Sequence, residues 1–223
     1  MGFIRYPMLE KGGPFHAHKL AATIRNLRDK KLCIPCLDTS LDLSCSTEEG
    51  DVFAELLQTA RDLQVPYVVG WASMGDDNAE LILHQNIARL LSLAEELGVC
   101  ILLKTSGIFA DTGRLRRFLE DYASDWLGAL WDMHHPYRDF AESADTTIKN
   151  LGTYVKHVHL RDSDENGEYQ LIGEGNMPIA DMIRALGSIN YDGFISLEWK
   201  PEWMEDLQDR EIIFPYYVNY MSR

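Results

Sequence analysis

No stretch of the chain approaches the roughly 20 consecutive apolar residues that a membrane-spanning helix needs, which excludes a helical membrane span. Basic residues are also scarce: 21 lysines and arginines stand against 35 aspartates and glutamates, a net charge of -14. An acidic surface argues against nucleic acid and anionic membrane as partners, because both require basic patches. Cysteine is limited to Cys33, Cys36, Cys45 and Cys100. Cys33 and Cys36 have C-x-x-C spacing, but no second such pair completes a zinc site, so they read as small buried hydrophobes. Free thiols agree with a reducing compartment. No low-complexity linker or composition break divides the 223 residues, so a single domain over 1–223 is expected. The first residues do not read as a signal peptide, and the expected location is cytoplasmic.

What the chain does have is a repeat of apolar strand and amphipathic helix about every 30 residues, the unit of a βαβ series. Strands are expected at Gly2–Tyr6, Leu32–Leu37, Val65–Trp71, Val99–Lys104, Leu127–Asp132, Val155–His159 and Phe194–Glu198. Helices are expected over Phe15–Lys30, from Thr47, from the caps at Asp76–Asn78 to Glu96, over Asp111–Tyr122, Phe140–Leu151 and Ile179–Leu186. A glycine-containing loop falls at 9–14, and the tail from Glu202 to Arg223 reads as mixed helix and irregular chain. The implied fold is α/β, a (β/α)8 TIM-type barrel. A closed barrel wants about eight strands and seven are found, so the first βα unit is missing. Either the chain is a fragment or isoform, or the barrel is open on one side. An open barrel exposes two sheet edges, which invites homo-oligomer formation or assembly through that edge.

Three strands end in ligand chemistry. Asp132 closes Trp131-Asp132-Met133-His134-His135-Pro136, His159 closes His157-Val158-His159, and Glu198 closes Ser196-Leu197-Glu198. Strand C-termini form the working face of a parallel barrel. Two carboxylates and an imidazole there make a candidate divalent-metal site for Mn, Mg, Co or Zn. His135, three residues after Asp132, can turn back toward the site as a proton shuttle or metal neighbour. His134 points elsewhere if the strand alternates. His157 shares the face of His159 one layer down. Arg161 and Asp162 either anchor substrate oxygens or form a loop ion pair. Trp71, Trp131 and Trp199 stand near strand ends, where sugar rings stack and where rim packing also favours tryptophan.

The motifs Trp-Asp-x-His-His-Pro, His-Val-His-Leu-Arg-Asp, Gly-Glu-Gly around Glu174, and Tyr-Asp-Gly-Phe-Ile-Ser-Leu-Glu-Trp resemble the xylose-isomerase-like barrels, which include sugar-phosphate isomerases and epimerases. Dehydratases, lyases and an endonuclease branch share those barrels, so the motifs specify the superfamily better than the reaction. The resemblance implies a Glu-Asp-His-Glu metal set, with Asp132, His159 and Glu198 as its last three members. The first glutamate falls at Lys104, and this is the main departure. A protonated lysine cannot ligate a hard cation and repels one.

Lys104 can be read in three ways. In one, a metal binds through Asp132, His159 and Glu198 while Lys104 binds a substrate carboxylate or phosphate, or acts as base. In another, the ammonium replaces the metal and pairs with Asp132 and Glu198, leaving a metal-free, inactive barrel. In the third, Lys104 is a Schiff-base nucleophile. The expected function is metal-dependent isomerisation or epimerisation of a small carbohydrate or polyol. Glu198, with Lys104 or His135, moves the proton next to a polarised carbonyl. Arg161, Trp71 and Trp199 are the expected substrate contacts. The alternatives are a non-catalytic barrel subunit with a disabled metal site, and a lyase or dehydratase using the same site.

Overall fold

The computed structural model describes residues 3–5, 12–199 and 209–222. Seven strands form one sheet in the order β1 (Phe3–Arg5), β2 (Cys36–Asp42), β3 (Tyr67–Trp71), β4 (Cys100–Lys104), β5 (Leu127–Asp132), β6 (Val155–Leu160) and β9 (Ile195–Leu197). Every neighbouring pair is parallel. Helices α1 (Ala17–Asp29), α2 (Thr47–Asp62), α3 (Asp77–Leu97), α4 (Thr112–Tyr122), α6 (Ala144–Leu151) and α7 (Ile179–Ser188) alternate with the strands. This is a TIM-type barrel, incomplete among the described residues, with β1 and β9 at its two edges. β6 pairs directly with β9, so β4, β5, β6 and β9 are four consecutive neighbours. Residues 9–11 of the expected loop and the tail residues 202–208 lie outside the described residues. The end of the tail is helix α8 (Arg210–Met221). Among the described residues no helix is long and apolar enough to cross a membrane.

Local chemistry accounts for most boundaries. Ser46, Asp76, Asp111 and Ser143 each accept a backbone N–H in the first turn of the helix they precede, satisfying donors that the helix itself cannot. Gly98 ends α3 in the left-handed conformation, with φ 66°.

Alternation along the strands then sorts the side chains. Leu37, Val68, Ile101, Leu103, Ala129, Trp131, Val158 and Leu160 belong to the main core, with helix residues such as Phe53, Leu57, Ile87 and Leu115. Cys36, Val69, Cys100, Leu102 and Leu130 form a second, small apolar cluster in the barrel interior. Two residues farther along three of these strands, the same face presents Asp38, Lys104 and Asp132.

Four expectations are corrected. The second strand runs Cys36–Asp42, not Leu32–Leu37. Pro35 has no N–H to give a ladder, while Thr39 within the polar run donates its hydroxyl to Val69 O at 2.7 Å. Cys33 is consequently exposed and only Cys36 of the C-x-x-C pair is buried. The expected helix Phe140–Leu151 starts only at Ala144 as α6, and a separate helix, α5 (His134–Phe140), precedes it and ends at Ala141 with φ 50°. Trp131 is 1% exposed in the core and does not reach the barrel mouth.

A short antiparallel pair, β7 (Asp162–Ser163) and β8 (Tyr169–Gln170), was not anticipated. Asp162 organises the loop beyond this pair. Its Oδ1 accepts from Ser163 N at 2.8 Å and Met177 N at 3.2 Å. Its Oδ2 accepts from Gly173 N at 2.8 Å and Gly175 N at 3.1 Å. A Cβ on Gly175 would lie 2.2 Å from Asp162 Oδ1, so only glycine fits there. The Gly-Glu-Gly turn is therefore a backbone loop folded around a carboxylate, and Tyr216 Oη ties Glu174 to α8 at 2.8 Å. Asp162→Ala leaves four N–H groups without this acceptor. It is expected to cost about 2–4 kcal/mol, read as a lowered midpoint in urea denaturation.

Candidate functional site

The expected site residues do converge, around Lys104. It ends β4 and carries its ammonium to 2.8 Å from Glu198 Oε1 and 3.0 Å from Asp132 Oδ2. Asp132 and Glu198 have no exposed side-chain surface, and Lys104 has 11%. Burial alone would push the lysine toward neutrality, but Glu198, Asp132 and Asp38 outweigh it and hold its pKa above the ordinary value. Asp132 shows the reciprocal effect. Burial favours its neutral form, but Lys104 and Arg161 hold its carboxyl well below the usual range. Both groups are therefore charged at neutral pH. A Schiff base needs a neutral amine, which this site disfavours.

His159 lies in β6 with Nδ1 3.9 Å from Glu198 Oε1. Burial lowers its pKa against the pull of Glu198. One layer down, Ser196 Oγ and His157 Nε2 are 3.0 Å apart.

Arg161 is the second cation. It approaches Glu198 Oε2 at 3.5 Å and donates to Tyr169 Oη at 2.6 Å. Its Nη2 also donates to His134 Nδ1 at 3.0 Å and to His135 Nε2 at 2.8 Å. A guanidinium can only donate, so both of those ring nitrogens carry lone pairs. The remaining ring protons then point to Ser163 Oγ from His134 and to Asp139 Oδ2 from His135. The nitrogen of His135 that faces the site is thus already engaged. Asp162 contacts backbone instead of substrate, and Arg161 is tied to histidines, Tyr169 and Glu198 instead of Asp162.

A cavity of about 300 Å³ opens above this cluster, lined by Asp38, Ser40, Trp71, Lys104, Ser106 and His135 among others. Trp71 lines the cavity, its Nε1 donating to Ser40 O at 3.3 Å. Arg161, Trp199, Asp132, His159 and Glu198 are absent from the lining, because Lys104 stands between the cavity and the two carboxylates.

Asp38 is the residue that sequence reasoning missed. It is buried at 4% exposure. The period-2 pattern Cys36-x-Asp38 would have placed it in the lumen had the strand been started at Cys36.

Among the described residues, two donor groups could hold a metal ion: Asp38, His159 and Glu198, and Cys36, His157 and His159. Their ligand atoms lie within 4.8 Å of one another in each group. Asp132 joins neither. The expected set of Asp132, His159 and Glu198 does not fit a divalent cation while a charged lysine sits between its two carboxylates.

The chain belongs to the xylose isomerase-like TIM barrel family, whose model matches residues 4–213. A similar curated protein is fructoselysine 3-epimerase of Escherichia coli O157:H7, 26% identical over 130 residues that make up 56% of this chain and 47% of that protein. The chain spans about half the length of the curated relatives it matches. Among solved structures, a D-tagatose 3-epimerase-like protein superposes with a TM-score of 0.74 at 20% identity, covering 99% of this chain and 90% of that one. The IOLI protein with a binding zinc atom superposes with a TM-score of 0.74 at 16% identity, covering 99% and 86%. These structural likenesses establish the fold.

The buried imidazoles set an acid limit. Burial pushes the pKa of His157 down to about 3 and that of His134 to about 4, from 6.5. Above pH 6.5 folded and unfolded forms are both neutral. Below it the unfolded chain takes up protons the folded one refuses, so stability falls with pH until about pH 3–4. At pH 5 His157 alone is expected to lower stability by about 2 kcal/mol relative to pH 7. Urea denaturation at the two pH values checks this, and His157→Gln should flatten the difference.

Proposed function

We propose that this chain acts on a small neutral carbohydrate by isomerase or epimerase chemistry, with the Lys104 ammonium in the position a divalent cation would fill. The observation that carries the proposal is the placement of Lys104 Nζ between Asp132 and Glu198 at 3.0 and 2.8 Å. A lysine has three N–H donors, and two are used by these carboxylates. The third is available to a ligand in the cavity that Lys104 lines. Donated to a carbonyl oxygen, it polarises that carbonyl and stabilises negative charge on its oxygen. Arg161 supports this charge from behind through Glu198. Trp71 offers an apolar face to a sugar. The family membership and the epimerases among the relatives support the substrate class.

A metal, where one binds in such barrels, polarises a carbonyl as a Lewis acid. In this chain Asp38, His159 and Glu198 lie close enough together to hold one.

A second reading is a carbohydrate receptor without turnover. It is favoured by the engagement of both expected proton carriers: Glu198 with Lys104, and His135 with Arg161.

Two measurements test these readings. Purified protein analysed by mass spectrometry for Mn, Co and Zn should hold well under one equivalent, while Lys104→Glu should approach one. Near-stoichiometric metal in the natural sequence would overturn the ammonium-centred site. Separately, ketoses incubated with the protein in D2O should gain deuterium next to the carbonyl, followed by proton NMR. Lys104→Met should slow this at least about 100-fold, the scale of losing one oxyanion donor. Binding without deuterium uptake would select the receptor reading.

A further inference from the structure

One layer below Lys104, the barrel interior brings a thiol and two imidazoles together. Cys36 stands in β2 two residues before Asp38, below the bulge that sets four steps of β2 against two of β3. His157 and His159 stand in β6. Three strands separate β2 from β6 in the sheet, so these side chains meet across the lumen. All are buried, with exposures of 0%, 1% and 0% for Cys36, His157 and His159. Their ligand atoms lie within 4.8 Å of one another. The two rings stand edge to face with centroids 5.4 Å apart. Ser196 Oγ holds the His157 ring by Nε2 at 3.0 Å, the kind of outer contact that orients ligating histidines.

The donor set decides the class of ion. A thiolate with two imidazoles selects Cu(I) or Zn(II) over Mg(II), Ca(II) or Mn(II). Zn(II) takes four ligands in closed sites, and no fourth histidine, cysteine or carboxylate joins this group among the described residues. Charge points the same way. Burial pushes the Cys36 thiol up, while Asp38 and Lys104 act on it with opposite signs. The thiol therefore keeps its proton until a metal displaces it. Exchanging one proton for one Cu(I) leaves the charge of the group unchanged. Zn(II) would add a unit of charge next to the apolar cluster that Cys36 shares with Val69, Leu102 and Leu130. Three bonds of roughly 2.0–2.3 Å place their donors about 3.7 Å apart, so the group need close by no more than about 1 Å.

We propose that Cys36, His157 and His159 form a closed, three-coordinate site for a soft monovalent cation, Cu(I), which ties β2 to β6 across the barrel interior. On binding, a Cu–S bond forms at Cys36 and the S–H proton leaves to solvent. Copper enters as Cu(I), so no electron is transferred. The site uses neither Lys104 nor the cavity above it, and it stands independently of the carbohydrate reading.

The test supplies copper during expression, so that a closed site can fill as the chain folds. The parent chain carries Cys33→Ser and Cys45→Ser, which removes the two exposed thiols. It is purified without oxygen in the presence of bicinchoninate, a Cu(I) chelator that strips weakly held copper, and its metal content is measured by mass spectrometry. Near-stoichiometric copper is expected, with one sulfur and two nitrogen neighbours by X-ray absorption. Cys36→Ser should retain at least tenfold less copper, and Cys100→Ser should retain it all. The loaded chain should also melt above the metal-free chain, because the ion favours the folded form. Absence of copper from the parent chain overturns the site, as does undiminished copper in folded Cys36→Ser. Two or more sulfur neighbours would place the copper on other thiols and also overturn it. Near-stoichiometric zinc in protein from zinc-supplemented cells would overturn the choice of a monovalent ion. Where circular dichroism shows Cys36→Ser unfolded, His157→Gln replaces it; where both are unfolded, the neighbours seen by X-ray absorption decide.

Discussion

A buried ammonium held between two buried carboxylates governs this structure. Taking three charges out of water is expensive, and the arrangement holds because each compensates its neighbours. Lys104, Asp132 and Glu198 come from β4, β5 and the end of β9, so their attraction also cross-links three parts of the barrel mouth. Removing one partner would strand the others. The same bond fixes the order of the layers above it. The carboxylates are sealed beneath Lys104, Lys104 meets the cavity, and only Asp38 brings a carboxylate to the lining.

Around that centre, polar groups are used mainly to hold other groups still. Arg161 fixes the ring protons of two histidines at once, and Tyr169 receives a further hydrogen bond from it. Asp162 gathers a glycine turn by its backbone. The motifs with most chemical character in the sequence are thus divided between those that meet the cavity and those that shape its walls. A side chain of catalytic type at a strand end says where it stands; what it is bonded to decides its work.

Much of the architecture was legible in the chain. Strands such as Leu127–Asp132 and Val99–Lys104 are apolar runs that end in a charged residue, and the structure forms them within one residue of that reading. The gathering of Asp132, His159, Glu198 and Lys104 also follows from their equivalent positions at strand ends. Other features were hidden for physical reasons. β2 is polar over half its length, because its mouth-side residues bond to a bulge and a cavity instead of packing, so hydrophobicity placed the strand four residues too early. Asp38 disappeared into a supposed loop for that reason. The split between α5 and α6 turns on the left-handed backbone at Ala141, a residue whose side chain gives no such signal. The β7–β8 pair is two residues long on each side, too short for any periodicity to register.

A positive charge carried on the polypeptide differs from one borrowed from solution in having no dissociation constant. Lys104 arrives with the chain in a fixed ratio of one, cannot be stripped by a chelator, and cannot be exchanged for a mismatched ion when supplies in the cell change. It also cannot be tuned by substituting one element for another. The barrel mouth of this protein has a charge centre that assembles as the chain folds.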